Sequence, residues 1–153
     1  MHSKSKIYKA IVVPTLIYGA ENWCLKASHE RKLQTYHHGC IRRICKLSRL
    51  HLQTRHITMK NLRDRTKIPS ILTFITRHQL RYAGHIARMG WHRFQRKILS
   101  SWVNNNRRNG SPGMTYARAL KRALQRANIN IRGWHTLAQD RAAWKKKIHD
   151  VDC

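Results

Sequence analysis

Acidic residues are scarce in this 153-residue chain, in which six Asp and Glu stand against 32 Lys and Arg and give a formal net charge of +26. No two of the six are adjacent in sequence, and they are Glu21, Glu30, Asp64, Asp140, Asp150 and Asp152. Two-metal phosphoryl transfer needs clustered carboxylates to hold its cations. We therefore predict no catalytic residues, and no polymerase or nuclease activity, for this chain.

Long apolar runs are also missing. The segment from Ile7 to Ala20 has a basic start and an apolar middle, as a signal peptide has, but Lys9 and Pro14 interrupt it. It is shorter than the ~20 apolar residues that a membrane-spanning helix needs. We interpret it as a buried helix and predict an intracellular protein, nuclear or cytoplasmic, with no membrane partner.

Cysteines number four, and only Cys40 and Cys45 lie close together in sequence. With His51 and His56 they spell a possible zinc site, but the gap from Cys45 to His51 is much shorter than in a zinc finger. If both cysteines lie on one helix, five residues turn it roughly 500° and point the thiols about 140° apart. The favoured interpretation is mostly buried thiols, with no metal and no cofactor predicted.

The abundant feature is positive charge, with a calculated isoelectric point near 11.4. Charge of this size repels itself unless a polyanion neutralises it, and nucleic acid is the usual polyanion. Ribosomal, histone-like and anionic-membrane-binding proteins share this property, so charge alone does not separate them. Solvated helix faces normally mix both signs, and this excess of one sign instead predicts a continuous cationic surface.

Apolar residues recur with the helical period almost throughout, and no convincing strand pattern is present. The predicted helices cover residues 4–18, 28–47, 58–66, 69–89, 115–127, 134–138 and 141–149. Ser28, Thr115 and Asp140 are the predicted N-caps. Pro14 should kink or end the first helix, and Pro69 suits the first turn of the fourth.

Each long predicted helix has an apolar and a basic face. In 28–47 the apolar stripe is Leu33, Tyr36, His37, Cys40, Ile41, Ile44 and Leu47, and the basic face is Arg31, Thr35, His38, Arg42 and Lys46, flanked by Lys32 and Arg43. In 69–89 the outward residues are Arg77, His78, Arg81, His85 and Arg88, and Phe74 falls among them. Histidines on these faces should strengthen polyanion binding on acidification.

Residues 104–113 (NNNRRNGSPG) are turn-rich and lack large apolar side chains. We predict a flexible basic loop here. It divides an all-α fold into a small helical bundle, the thumb-like region 1–103, and a second small helical lobe, residues 114–153.

Four blocks of the sequence resemble the region that follows the polymerase palm in LINE-type (non-LTR) retrotransposon reverse transcriptases. Residues 7–23 resemble LYxxxVxPTLLYGxExW, and residues 37–44 resemble HxxCLRRIL. Residues 77–89 resemble RRxLRWLGHVxRM, and residues 134–144 resemble WxxLAxDRxxW. The blocks keep the family's order. The chain departs at residues 110–116, where Ser111 and Thr115 replace the cations of GRPxxRW.

The resemblance implies the helical thumb and the region after it, here as a truncated element copy without the polymerase's Asp-Asp motif. Such a fragment of an RNA-directed DNA polymerase would grip template–primer or target duplex by backbone charge. The implied partners are an RNA–DNA hybrid, duplex DNA or structured RNA, and the missing palm if it is supplied in trans. Two alternatives stay open: a domesticated architectural or ribosome-associated RNA- or DNA-binding protein, and a histidine-based nuclease.

The predicted nucleic-acid contacts are the cations of the basic faces and the loop: Arg42, Arg43, Lys46, Arg77, Arg81, Arg88, Arg107, Arg108, Arg118 and Arg122. The tryptophans of the resembling blocks, Trp23, Trp134 and Trp144, are predicted to be buried anchors rather than stacking surfaces. Gly19 should permit a turn and Gly84 a close helix contact.

Overall fold

A computed structural model describes residues 2–100 and 115–151, apart from the side chains of His2 and Ser100. These residues are helical with short connections and contain no strand, so the predicted all-α class is confirmed. The predicted loop at 104–113, with Arg107 and Arg108, lies outside the described residues, and the domain boundaries placed around it stay predictions. Within the described part of the chain, no helix is long and apolar enough to cross a membrane.

The first helix accommodates its proline by a change of helix type. It consists of α1 (His2–Ile7), a π-helical turn (Tyr8–Val12) and α2 (Val13–Leu16). Pro14 has no N–H and would clash with the carbonyl four residues earlier. Widening the preceding turn to π-geometry lets the helix pass through the proline. The chain then turns at Gly19, whose φ of +69° fits the prediction of a turn there.

Two corrections apply to α3 (Ala27–Ile44). Ser28 is not the N-cap, because the extended residue before the helix is Lys26 and no side chain caps it. The helix stops before Leu47, because Lys46 adopts φ +55° and the Leu47 N–H donates to the Arg42 carbonyl at 3.0 Å. This six-to-one bond is a Schellman motif formed without glycine.

The same ending recurs in the helices that follow: α4 (Arg49–Thr54), α5 (Met59–Thr66) and, later in the chain, α8 (Tyr116–Arg126). Each is closed by a left-handed residue, His56, Lys67 and Asn128 respectively, and each is followed by a branched apolar residue. The Ile129 N–H, for example, donates to the Leu124 carbonyl at 2.9 Å. The hydrophobic residue after the left-handed position is the usual companion of this motif.

The remaining helices are α6 (Ile71–Ala87), α7 (Phe94–Ser100), α9 (Trp134–Gln139) and α10 (Arg141–His149). Ser70 precedes α6 and accepts from the Thr73 N–H at 3.1 Å, so Pro69 lies before the cap and not in the first turn as predicted. Thr115 and Asp140 are confirmed as N-caps of α8 and α10. No sequence pattern predicted α4 or α7.

The chain divides into two compact units, and the division falls inside α6. Among the described residues, the first unit contains 2–19 and 26–75, and the second contains 20–25 and 76–151. In the first unit the predicted stripe of α3 is buried at His37 and Ile41, whereas Tyr36 is 51% exposed and was wrongly assigned to the core.

A buried histidine organises the first unit. The carbonyl of Pro69 only accepts hydrogen bonds, so His37 Nε2, 3.0 Å away, carries the proton and donates. His37 Nδ1 is therefore the acceptor for the Tyr8 hydroxyl at 2.8 Å. Burial lowers the pKa of His37 to about 4 against the opposing effect of the Pro69 hydrogen bond, with smaller lowering effects from His38 and Arg63.

The core of the second unit joins four helices. Its buried members come from α6, α8, α9 and α10 and the turns between them: Leu80, Ala83, Ala87, Leu120, Ala123, Leu124, Ala127, Ile129, Trp134, Ala138, Trp144, Ile148 and Val151. Trp134 and Trp144 are confirmed as buried anchors, with ring centroids 6.2 Å apart. Trp23 is only partly buried.

Candidate nucleic-acid interface

One long stretch of the sequence contains cations and no acidic residue. It runs from the residue after Asp64 to the residue before Asp140 and includes α6, α7, α8 and α9. Side chains of one sign on so many consecutive helices produce a positive potential that neighbouring carboxylates do not cancel.

Cations of α6 meet those of α10, which follows this stretch, in a groove of the second unit that we call the α6–α10 groove. Its volume is about 380 Å³. Cations and histidines of the two helices and of the residue after α6 line it, together with two buried apolar side chains: Arg77, Arg81 and His85 from α6, Arg88 just after it, Arg141, Lys145 and His149 from α10, and the buried Trp144 and Ile148. No carboxylate is among these lining residues.

Helical spacing explains how both helices present cations to one place. Residues four apart lie on one face and are about 6 Å apart along the axis. Arg77, Arg81 and His85 follow this spacing on α6, as do Arg141, Lys145 and His149 on α10. The groove therefore has two roughly parallel rows of positive or protonatable groups.

A glycine allows the two helices to approach closely. A Cβ atom at Gly84 would overlap the indole of Trp144, meeting Cδ1 at 2.6 Å. The indole N–H donates to the Leu80 carbonyl at 3.0 Å, one helical turn earlier. The prediction that Gly84 permits a close helix contact is confirmed, and this contact brings the cations of α10 beside those of α6.

Two of the predicted cations also close helix ends. Arg77 Nη2 donates to the carbonyls of His149 at 2.8 Å and Val151 at 3.0 Å, at the C-terminus of α10. Arg88 Nη1 donates to the Ala138 carbonyl at 2.7 Å, near the end of α9. A cation at a helix C-terminus satisfies orphan carbonyls and favours the dipole. Arg77 and Arg88 thus stabilise the unit as well as lining the groove.

Arg81, Arg141 and Lys145 are exposed cations of the groove. Arg141 occupies the first turn of α10, directly after the cap Asp140. The positive end of the helix dipole disfavours a cation at that position. Its charge therefore contributes to the groove at some cost to the helix.

The other predicted contacts are distributed over both units. Arg43 and Lys46 are exposed on or just after α3, and Arg42 is partly buried there. Arg118 and Arg122 are exposed on the polar face of α8. None of these is among the residues that line the α6–α10 groove.

Sequence reasoning missed the α10 side of the groove, Arg141, Lys145 and His149. The signal was available, because their spacing of four places them on one helix face. What the sequence does not provide is the partner helix. The close contact joins residues 84 and 144, and no local pattern predicts a pairing at that separation.

The surroundings of two histidines on the predicted basic faces lower their pKa values. Burial lowers the pKa of His78, and Arg81 lowers it further, while Glu21 opposes the shift. Burial also lowers the pKa of His38, with additional lowering from Arg63 and Arg42. These two imidazoles therefore gain charge only at lower pH than an ordinary histidine.

The cysteines do not form a centre with other ligands in the described ranges. Cys24 is exposed, Cys40 and Cys45 are partly buried, and all three are free thiols. Burial raises the pKa of Cys45, against a lowering effect of Arg65. Among residues 2–100 and 115–151 no group of three His, Cys, Asp or Glu side chains is placed to hold a metal ion.

Comparison with known proteins gives one relevant similarity. The chain is 24% identical over 143 residues to a transposon-derived protein of Caenorhabditis elegans whose name describes it as uncharacterized. The matched region is 90% of this chain and 51% of that protein, so the chain spans about half of the length of the relative. No protein-family model matches the chain. No solved structure matches it either.

Proposed function

We propose that this chain is a nucleic-acid-binding helical part of a transposon-derived protein, and that it grips a template–primer or target duplex through the phosphate backbone. The observation that carries the proposal is the α6–α10 groove, with cations on both walls and no lining carboxylate. Arg and Lys contacts to phosphate fix position on a strand and carry no sequence information. The binding should therefore depend weakly on base sequence.

The resemblance of the four blocks, which occur in the family's order, supports an origin in a retrotransposon reverse transcriptase. The similarity to a transposon-derived protein extends over most of the chain and supports the coarser statement of a transposon origin. The third block contains residues 77–87 of α6 and the fourth contains residues 141–144 of α10, so both blocks contribute to the walls of the groove. A thumb and the region after it would use such walls to hold a duplex beside a polymerase centre located elsewhere.

Under this proposal the chain contributes binding and no chemistry. Metal-dependent polymerisation needs carboxylates that hold two cations close together. The six acidic residues of this sequence are dispersed. Primer extension on an RNA template with Mg²⁺ or Mn²⁺, beside a nuclease assay on the same duplex, should show no turnover. Turnover that survives repurification and is lost on mutation of the chain's own His or Asp residues would contradict the proposal.

The main test is the salt dependence of binding, measured by fluorescence anisotropy with an RNA–DNA hybrid and a DNA duplex of one length. Each phosphate neutralised on a duplex contributes about −0.9 to the slope of log affinity against log salt. With ~6–8 contacts the slope should be about −5 to −7. Removing Arg81 and Lys145 together (R81A/K145A) should make it less steep by about 2.

The matched control removes two exposed cations that do not line the groove, Arg55 and Lys60 (R55A/K60A). It makes the same change in net charge, so a purely global electrostatic effect would shift both double variants equally. Equal slopes for the two would refute the groove as the site. Strong preference for one base sequence would refute backbone binding.

A further inference from the structure

Two aromatic side chains of the second unit are exposed, although this unit buries Trp134 and Trp144. Trp91 is 67% exposed and Phe94 is 71% exposed, whereas Trp134 and Trp144 are 8% and 2% exposed. Leaving an indole and a phenyl ring in water forgoes the free energy that burial would provide. Exposed aromatics close together in sequence on a charged surface are better candidates for a binding site than scattered apolar residues are.

The surroundings of these rings are cationic. Arg93 and Lys97 are exposed beside them, and the segment lies in the stretch that has no acidic residue. The Gly90–Arg93 turn, closed by the Arg93 N–H donating to the Gly90 carbonyl at 3.1 Å, places Trp91 near its tip. This combination of flat π-faces and phosphate-binding cations is how proteins hold unpaired bases.

The Trp91 ring is supported from one side. The Arg96 guanidinium carbon lies 5.0 Å from its ring centroid, a cation–π contact. Arg96 is itself only 8% exposed, and its Nη1 donates to His135 Nδ1 at 3.0 Å. The pKa of His135 is lowered by burial and then by Arg96, which keeps Nδ1 available as the acceptor. The arrangement fixes the indole before a ligand arrives and leaves most of its surface open.

The exposed aromatics lie close in sequence to the α6–α10 groove. Arg88 lines the groove just after α6, and Trp91 follows it by three residues. We propose that Trp91 and Phe94 stack unpaired bases of a strand whose phosphates lie in the groove. The inference rests on the proposed function and narrows the ligand to nucleic acid with a single-stranded part. Docking of a protein on the Trp91–Phe94 surface is the competing occupant, but the flanking cations favour a polyanion.

The test compares three probes of equal length: a single strand of thymidines, the same strand with abasic sites, and a blunt duplex. Stacking contributes ~1–3 kcal/mol per base, which corresponds to about 5- to 150-fold in affinity. Trp91→Ala should weaken binding of the thymidine strand by that factor, and Phe94→Ala should weaken it within the same range. Both should change binding of the abasic strand and the duplex less than about twofold, because those probes offer no unpaired base.

Tyr18→Ala is the control, since Tyr18 is 87% exposed and belongs to the first unit. Trp91→Phe should retain most of the affinity because it keeps a π-face. Equal losses on thymidine and abasic strands, or no loss with Trp91→Ala, would overturn the proposed stacking. If the duplex binds with a steep salt slope while Trp91→Ala has no effect, only this inference fails. If the duplex does not bind, the proposed function fails.

Discussion

The substitution Gly84→Ala tests the contact that forms the groove. An added Cβ cannot fit while Trp144 stays in place, because it would overlap the indole ring. Trp144 is 2% exposed and its N–H is bonded to the Leu80 carbonyl, so it cannot move away without loss. We expect α6 and α10 to separate and the protein to be destabilised.

The magnitude follows from three contributions. Overpacking of a tight contact costs ~1–3 kcal/mol, and losing the buried indole hydrogen bond costs about 1 kcal/mol more. Replacing a helical glycine by alanine returns about 1 kcal/mol through helix propensity. The net loss should be about 1–3 kcal/mol. For a chain of this length it corresponds to a fall in Tm of roughly 2–12 °C.

The assay is urea unfolding followed by circular dichroism, arranged as a double-mutant cycle with Trp144→Leu. The smaller leucine leaves room for the methyl group, so Gly84→Ala should stabilise that background by about 1 kcal/mol. A coupling energy of about 3 kcal/mol is therefore expected between the two positions.

Gly39→Ala is the matched control. Gly39 lies within α3, and a Cβ there would meet only the end of the Arg42 side chain, at 3.9 Å. Alanine at this position should stabilise the protein by about 0.5–1 kcal/mol. If Gly84→Ala is also stabilising, or if its effect is the same with Trp144 and with Leu at position 144, the close contact does not hold α6 against α10.

Further predictions concern charge and pH. Because the pKa of His37 is about 4 in the fold and near 6.5 when unfolded, the stability that its neutral form contributes is complete above pH 6.5 and is lost as pH falls towards 4. This loss amounts to about 3 kcal/mol, and His37→Gln should remove it from urea midpoints compared at pH 7 and pH 4.5. Arg141→Glu should raise the free energy of unfolding by ~0.3–1 kcal/mol, because an acidic residue in the first turn of α10 interacts favourably with the helix dipole. The same substitution should weaken duplex affinity. If stability and duplex affinity both rise or both fall, the assignment of Arg141 to the groove is contradicted. Duplex binding should be stronger at about pH 5.5 than at about pH 8, since histidines gain charge on acidification. His78→Gln should reduce this gain little, because burial and Arg81 lower the pKa of His78. A large reduction by His78→Gln would contradict the lowered pKa.

Local patterns were sufficient for most helices and their starts. The 3.6-residue period identified α6, α8 and α10, and the caps Thr115 and Asp140 have short polar side chains whose role depends on neighbours within three residues. The prediction of Ser28 as the cap was wrong because the extended residue before the helix is Lys26, two residues earlier. A good cap residue predicts a start only when the backbone before it is extended.

The end of α3 was predicted three residues too late, for a physical reason. Glycine is the usual left-handed residue at a helix end, whereas the chain uses Lys46, His56, Lys67 and Asn128. A non-glycine residue there is strained. The strain is offset locally, because the apolar residue that follows can pack and the six-to-one hydrogen bond forms. Short helices such as α4 and α7 contain too few turns for periodicity to reveal them.

The α6 side of the candidate site was predicted from the sequence. The α10 side was not, because it depends on tertiary packing. The cations of α6 were identified from its outward face. Their convergence with Arg141 and Lys145 required the contact between Gly84 and Trp144, which no periodicity shows. The same packing explains why Arg77 and Arg88 bond to helix carbonyls: each lies on the face of α6 that meets the ends of α9 and α10.

Bringing these two faces together has an electrostatic cost. Like charges in one groove repel, and the repulsion is larger beside the buried Trp144 and Ile148 than in open water. Short-range contacts oppose this repulsion. They are the close packing of Gly84 on Trp144, the indole hydrogen bond, and the hydrogen bonds of two arginines to carbonyls at helix ends. A polyanion would remove the repulsion and leave those contacts intact. The groove therefore contains an unfavourable interaction in the free protein. Under the proposed function, binding of a phosphate backbone would relieve it.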